Sequence, residues 1–200
     1  MRRGDHPADF IIGLDLVNKE DTCKPLSLYA DFLCSEEVTK SGPDLFLHCG
    51  ESLRQDNMSV IDAYLLNTAR VGHGFNLYRF PELMQVYAKA GIAIEVCPIS
   101  NQRLGYCPDL RLHPALLYLR IGLPVVICSD DGLFLAAEPL TDDFFYSILC
   151  WDLTLGDIKT ICRNSILYSD LPEKDIDHLL KVWEADWNAF IAEYSGLRNP

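Results

Sequence analysis

Leu45-Phe46-Leu47-His48-Cys49-Gly50-Glu51 is the stretch on which the fold of this 200-residue chain turns. An apolar run ends in an imidazole, followed by a glycine and then a carboxyl three residues past the histidine. A short apolar run closed by a turn signal reads as a buried strand. His48 then stands at the mouth of that strand. Gly50 lets the backbone turn sharply, and Glu51 swings back toward the same small volume. By itself the stretch reads first as a strand followed by a polar loop. Its weight comes from recurrence along the chain.

Upstream, residues 10–16 form a first apolar run that ends near Asp15 and Asn18. Downstream come Val71-Gly72-His73-Gly74, then residues 92–97 closed by Pro98, then Val125-Val126-Ile127-Cys128-Ser129-Asp130-Asp131. The run ends Asp15, His48, His73, Pro98 and Asp130 lie 25 to 33 residues apart, about one strand–helix unit each. Helical spacing of apolar residues fills the intervals. It predicts helices over 27–38, around Ile61 to Leu66, from Pro81 onward, and from His113-Pro114 onward. A loop rich in polar residues is expected after Pro98. Three further helices are expected over 141–150, 155–168 and 174–194. The last carries Leu180, Trp183, Trp187, Phe190, Ile191 and Tyr194 as an amphipathic stripe.

Alternating strands and helices imply a parallel sheet with right-handed crossovers. Five such units fit either an open doubly wound sheet or part of an eight-fold barrel. A dinucleotide-binding sheet calls for GxGxxG after the first strand, and the sequence has none. A barrel instead gathers its reactive groups at the C-terminal ends of many strands. That is where His48, His73 and Asp130 fall. The expected fold class is therefore α/β, of the (β/α)8 TIM-barrel type, with residues 1–200 forming one unit.

Composition narrows the function. Hydrophobic residues make up 49% and charged residues 23%, a globular balance that argues against disorder. The net charge of -12 disfavours nucleic acid and anionic membranes as partners, though not a neutral nucleoside. No apolar run reaches the length of a membrane span. Arg2 and Arg3 resemble the start of a signal peptide, but the apolar run after them is short and holds an acid, so it reads as a strand and no export signal is visible. Eight cysteines occur without a CxxC pair, which disfavours a structural zinc knuckle.

His48, His73, Asp130 and Asp131, together with Glu51, form a set suited to metal-assisted hydrolysis. A catalytic zinc keeps three protein ligands and one position for water, whose proton it makes easy to remove. A neighbouring imidazole can take that proton, and a carboxyl can donate one to the leaving side. Each residue also has a plain structural explanation. A single histidine at a strand end is commonly a satisfied core residue, and an Asp pair after a strand is commonly a helix cap. Their joint occurrence in one strand–helix series is what packing does not readily explain.

Four segments carry a family resemblance. His48-Cys49-Gly50-Glu51, Arg70-Val71-Gly72-His73-Gly74-Phe75, the run from Glu95 to Gln102, and Ser129-Asp130-Asp131 resemble, in order, the motifs of the adenosine and AMP deaminases. Gly13-Leu14-Asp15-Leu16-Val17, the run from Asp62 to Thr68, Asp109-Leu110-Arg111-Leu112-His113-Pro114 and the Trp-rich last helix are most similar to the adenosine deaminase-related growth factors, the secreted branch. The resemblance implies zinc as cofactor, with His48 and Asp130 as ligands. It implies Glu51 as the acid that protonates purine N1, and His73 as the base or as the group that orients the hydroxide attacking C6. Asp131 is implied as the group at N7, with Asn18 near the purine edge. Adenosine plus water would give inosine plus ammonia. A homodimer in the full-length protein and an extracellular location are implied as well.

The sequence departs from that pattern in several places. The family's first strand supplies a His-x-His pair of ligands, and no His-x-His occurs here. The chain aligns from about the fourth barrel strand, so the barrel is expected to be incomplete, with the first three units missing and the chain inactive on its own. Asn18 stands where the family has a glycine against purine N3. Gly132 replaces a proline, and Cys49 replaces an alanine, a change shared with AMP deaminases. The competing expectation is a non-catalytic, growth-factor-like binding protein. A cytidine-type deaminase would need P-C-x-x-C after Cys49-Gly50-Glu51, and neither Cys97 nor Cys107 provides it.

Overall fold

The computed structural model describes residues 11–135 and 137–196. Arg2, Arg3 and Phe10 lie outside the described residues. Five strands form one sheet in chain order: β1 (Gly13–Leu14), β2 (Asp44–Cys49), β3 (Arg70–His73), β4 (Ala93–Val96) and β5 (Val125–Ile127). Each is parallel to the next. A doubly wound sheet reverses its strand order and places helices on both faces. Here the order never reverses. Right-handed crossovers therefore put the connecting helices on one side, and the sheet is a section of a barrel wall.

The pleat divides the side chains into two rows. Leu45, Leu47, Cys49, Val71, Ile94, Val96, Val125 and Ile127 face the helices and are buried. Against them pack Val60 and Ala63 of α3 (Ser59–Leu65), Met84 and Tyr87 of α4 (Pro81–Ala90), Ala115 and Tyr118 of α6 (Ala115–Arg120), and Ile161 of α9 (Leu155–Leu167). The opposite row holds Phe46, His48, Arg70 and Glu95, all half-buried. At its lower end the Arg70 guanidinium lies 3.9 Å from the Phe46 ring centre. It also pairs with Glu95 at 2.7 Å and donates to the Tyr168 carbonyl. Arg70 opens β3 at the N-terminal end of the sheet, whereas Glu95 stands level with Gly72 and His48, close to the strand ends that carry the expected reactive groups.

Several elements differ from the sequence expectation. The single helix expected over 27–38 is broken into a 3-10 turn (Leu26–Tyr29), α1 (Ala30–Leu33) and α2 (Glu36–Ser41). Ser35 causes the break: it is extended, and its hydroxyl accepts from the Val38 N–H, so it starts a new helix instead of continuing the old one. The polar loop expected after β4 contains α5 (Pro98–Arg103), with Pro98 in the first turn. A short α7 (Gly132–Leu135) follows β5. α8 (Thr141–Trp151) and α9 lie close to expectation. α10 (Glu173–Ser195) is helical as expected, but it has no fully buried residue. Its stripe half-buries Leu180, Trp183, Trp187 and Ile191, with Trp183 and Trp187 stacked at 5.6 Å. Among the described residues, no helix is long and apolar enough to cross a membrane.

Candidate active site

The site is assembled from strand ends. Gly50 follows β2 at φ 67°, in the left-handed region that favours glycine. A Cβ there would lie 2.4 Å from Val60 and 2.6 Å from the Asn76 side chain. Gly72 pairs with His48 across β2 and β3, and a Cβ on it would come within 2.9 Å of the His48 ring. The first glycine of Gly-His-Gly thus leaves room for the neighbouring strand's imidazole. His73 and Asp130 sit at φ 63° and 52° without being glycine. Backbone held in that region costs roughly 1–3 kcal/mol per residue and clusters at functional sites.

His48 is fixed by a residue the sequence reading did not assign to the site. The Asp15 carboxylate accepts from the His48 backbone N–H at 3.0 Å and lies 2.7 Å from Nδ1. This bond, opposed by partial burial, raises the His48 pKa above its ordinary value. With Nδ1–H donated to Asp15, Nε2 is the nitrogen left without that bond, an arrangement also common among metal-binding histidines. The sequence signal was present, because Asp15 closes its apolar run just as His48 closes the next.

His73 is buried, with its ring centre 5.1 Å from that of His48. Its Nε2 lies 3.6 Å from Glu51 Oε1 and 3.9 Å from Asp130 Oδ2, and its buried Nδ1 has no hydrogen-bond partner among the described residues. Burial, and then the neighbouring His48 charge, hold its pKa well below the usual imidazole value. Burial first, then the charge of Asp130, push Glu51 up to about 7. Around neutral pH a substantial share of Glu51 therefore keeps its proton, while the adjacent imidazole is neutral. Pairs of groups whose environments drive their titrations apart mark acid and base roles.

The donor atoms of His73, Cys97 and Asp130 all lie within 4.8 Å of one another, and this trio could hold a metal ion. His48 stands outside that trio. Cys97 is buried with its thiol toward the Glu95 carbonyl, and burial pushes its pKa well up, so it rests as a thiol. Asp131 is exposed and opens α7. Asn18 is exposed, and its side chain accepts from the next residue's N–H at 2.7 Å. A cavity of about 670 Å³ opens beside the site, within the range of small-molecule pockets. Asn18, Glu20, His48 and Glu51 line it, whereas His73, Asp130 and Asp131 do not. Glu20 is a second residue missed from sequence, lying in a charged loop with no apolar pattern to point to it.

Comparison with known proteins gives one direction. The sequence profile of the family described as Adenosine deaminase matches residues 6–185. Adenosine deaminase 2 of Dictyostelium discoideum is 39% identical over 196 residues, covering 94% of this chain and 36% of that protein. Adenosine deaminase 2 of Homo sapiens is 39% identical over 191 residues, covering 92% of this chain and 37% of that protein. The chain thus spans little more than a third of the length of the curated relatives it matches. Among solved structures, a zinc-bound amidohydrolase from Burkhoderia ambifaria superposes with a TM-score of 0.81 at 20% identity, over 95% of this chain and 52% of that one. At that identity the likeness establishes the fold.

Proposed function

The chain belongs to the adenosine deaminase family, and from that premise we propose that it carries the acid–base half of a zinc-dependent centre converting adenosine or 2'-deoxyadenosine and water to inosine or 2'-deoxyinosine and ammonia. The observation that carries the reading is the Glu51–His73 pair: a carboxyl pushed up to about 7 beside a neutral buried imidazole. Glu51 donates its proton to purine N1, which makes C6 electrophilic. His73 takes the proton of the water that attacks C6 and holds it for the departing ammonia. Asp131 meets the purine at N7, and Asn18 lies near the purine edge.

The donors fit zinc chemically: His48 has its tautomer set by Asp15, and Asp130 offers a carboxylate. When bound, zinc supplies Lewis-acid activation of water at neutral pH. Two donors hold zinc less firmly than three or four, and the sequence has no His-x-His to add. We therefore assign to this chain, on its own, weak zinc binding and little or no turnover. The extracellular location, the control of extracellular adenosine and a homodimer of the full-length protein belong to this same proposal by family.

The test is zinc content and inosine formation by the purified chain, alone and mixed with the part of the Dictyostelium relative that lies outside its matched segment. Inosine formed in the mixture, and lost when this chain carries Glu51→Gln, is the expected result. A zinc-loaded mixture that leaves adenosine unchanged overturns the assignment and favours the binding-protein alternative.

A further inference from the structure

Glu51 is anchored through its neighbours. Gly50 N–H donates to Glu20 Oε1 and Ser52 N–H to Glu20 Oε2, both at 2.8 Å. The two oxygens of one carboxylate thus grip the backbone on either side of Glu51. The Ser59 hydroxyl also meets Oε1, and it accepts from Gly50 N–H at 2.8 Å. On the far side Asn76 closes the loop: its backbone N–H donates to the Gly50 carbonyl and its side-chain amide to the Ser52 carbonyl. Ser52 and Asn76 are buried, so these bonds are shielded from water. Glu20 reaches across 30 residues of sequence from the loop after β1 and also lines the cavity.

We propose that Glu20 is a positioning residue: by clamping Gly50 and Ser52 it fixes where the Glu51 carboxyl stands relative to His73 and the substrate. The inference rests on the deaminase reading for the role of Glu51, whereas the clamp is a property of the chain itself. A carboxylate is needed because both N–H groups require acceptors. Glutamine offers one acceptor oxygen and an NH2 that cannot accept, and aspartate is one methylene short. Misplacing a catalytic group by about 1 Å can cost about 10²-fold in rate.

Two arms test this. The first is amide hydrogen exchange on the 200-residue chain with Glu20→Ala and Glu20→Gln. In Glu20→Ala, Ser52 N–H is expected to exchange at least about tenfold faster. Gly50 should change less because Ser59 still accepts from it, and Ile94 in β4 and Cys128 just after β5 should not change. Glu20→Gln should free one of the two amides. Unchanged exchange at Ser52 overturns the clamp. Equal acceleration at Ile94 and Cys128 overturns it too, because Glu20 would then be bracing the whole scaffold. The second arm is the inosine assay described above, where Glu20→Ala is expected to lower kcat about 10²-fold with KM within about threefold, and Glu20→Gln less. An unchanged kcat with a loosened loop overturns the positioning role. No inosine from the parent chain in the mixture counts against the deaminase reading, and exchange still decides the clamp.

Discussion

The two faces of the same strands behave differently. On the helix side, Leu47, Val71, Ile94 and Val125 are apolar and fully buried, each surrounded by helices. On the other side, Phe46, His48, Arg70 and Glu95 are half-buried, and three of the four carry polar or charged groups. One row excludes water and holds the sheet together. The other is half-open and carries His48 near the upper strand ends, where the expected chemistry lies, and Arg70 at the lower end. Alternation of side chains at period two lets a strand serve both purposes.

The largest expected effect lies on the polar side. Glu51→Gln removes the proposed proton donor and should lower inosine formation in the mixture by about 10²–10⁴-fold while leaving the denaturation midpoint of the chain nearly unchanged. An equally large stability loss would erase the distinction between the faces. Next comes the apolar side. Ile94→Ala should lower unfolding free energy by about 2–5 kcal/mol in chemical denaturation. A change well under 1 kcal/mol would show that the helix-facing row is not the core.

Asp15→Asn should weaken zinc binding by about 10–100-fold in competition with a chromophoric chelator, because it loosens the hold on His48. Unchanged affinity would mean that His48 is not a ligand. Protonation should sharpen the picture further. The proposed role needs Glu51 as its neutral acid, and its pKa is raised to about 7, so the form competent for that role dominates below that value. Turnover should fall about tenfold per pH unit above it. A profile flat from pH 7 to 9 would remove Glu51 as the acid.

The smallest effect lies far from both rows. Thr154 caps α9 in a reciprocal box with Asp157, and Thr154→Ala should cost about 1 kcal/mol without touching turnover.

The sequence alone determined the strand–helix rhythm, the parallel barrel wall and the grouping of His48, Glu51, His73 and Asp130 at strand ends. Apolar runs of fixed spacing leave few topologies open, and a barrel sends every strand end to one rim. Local competition was harder to read. Ser35 can continue a helix or cap a new one, and which it does depends on where the chain must turn. Only the tertiary structure showed that Asp15 sets the His48 tautomer and that Glu20 grips the backbone around Glu51. Both contacts span 30 residues or more, and a carboxylate in a polar loop carries no periodic signal of what it will meet. It likewise took the structure to push Glu51 up and His73 down, because burial and neighbouring charge, not residue type, set those protonation states.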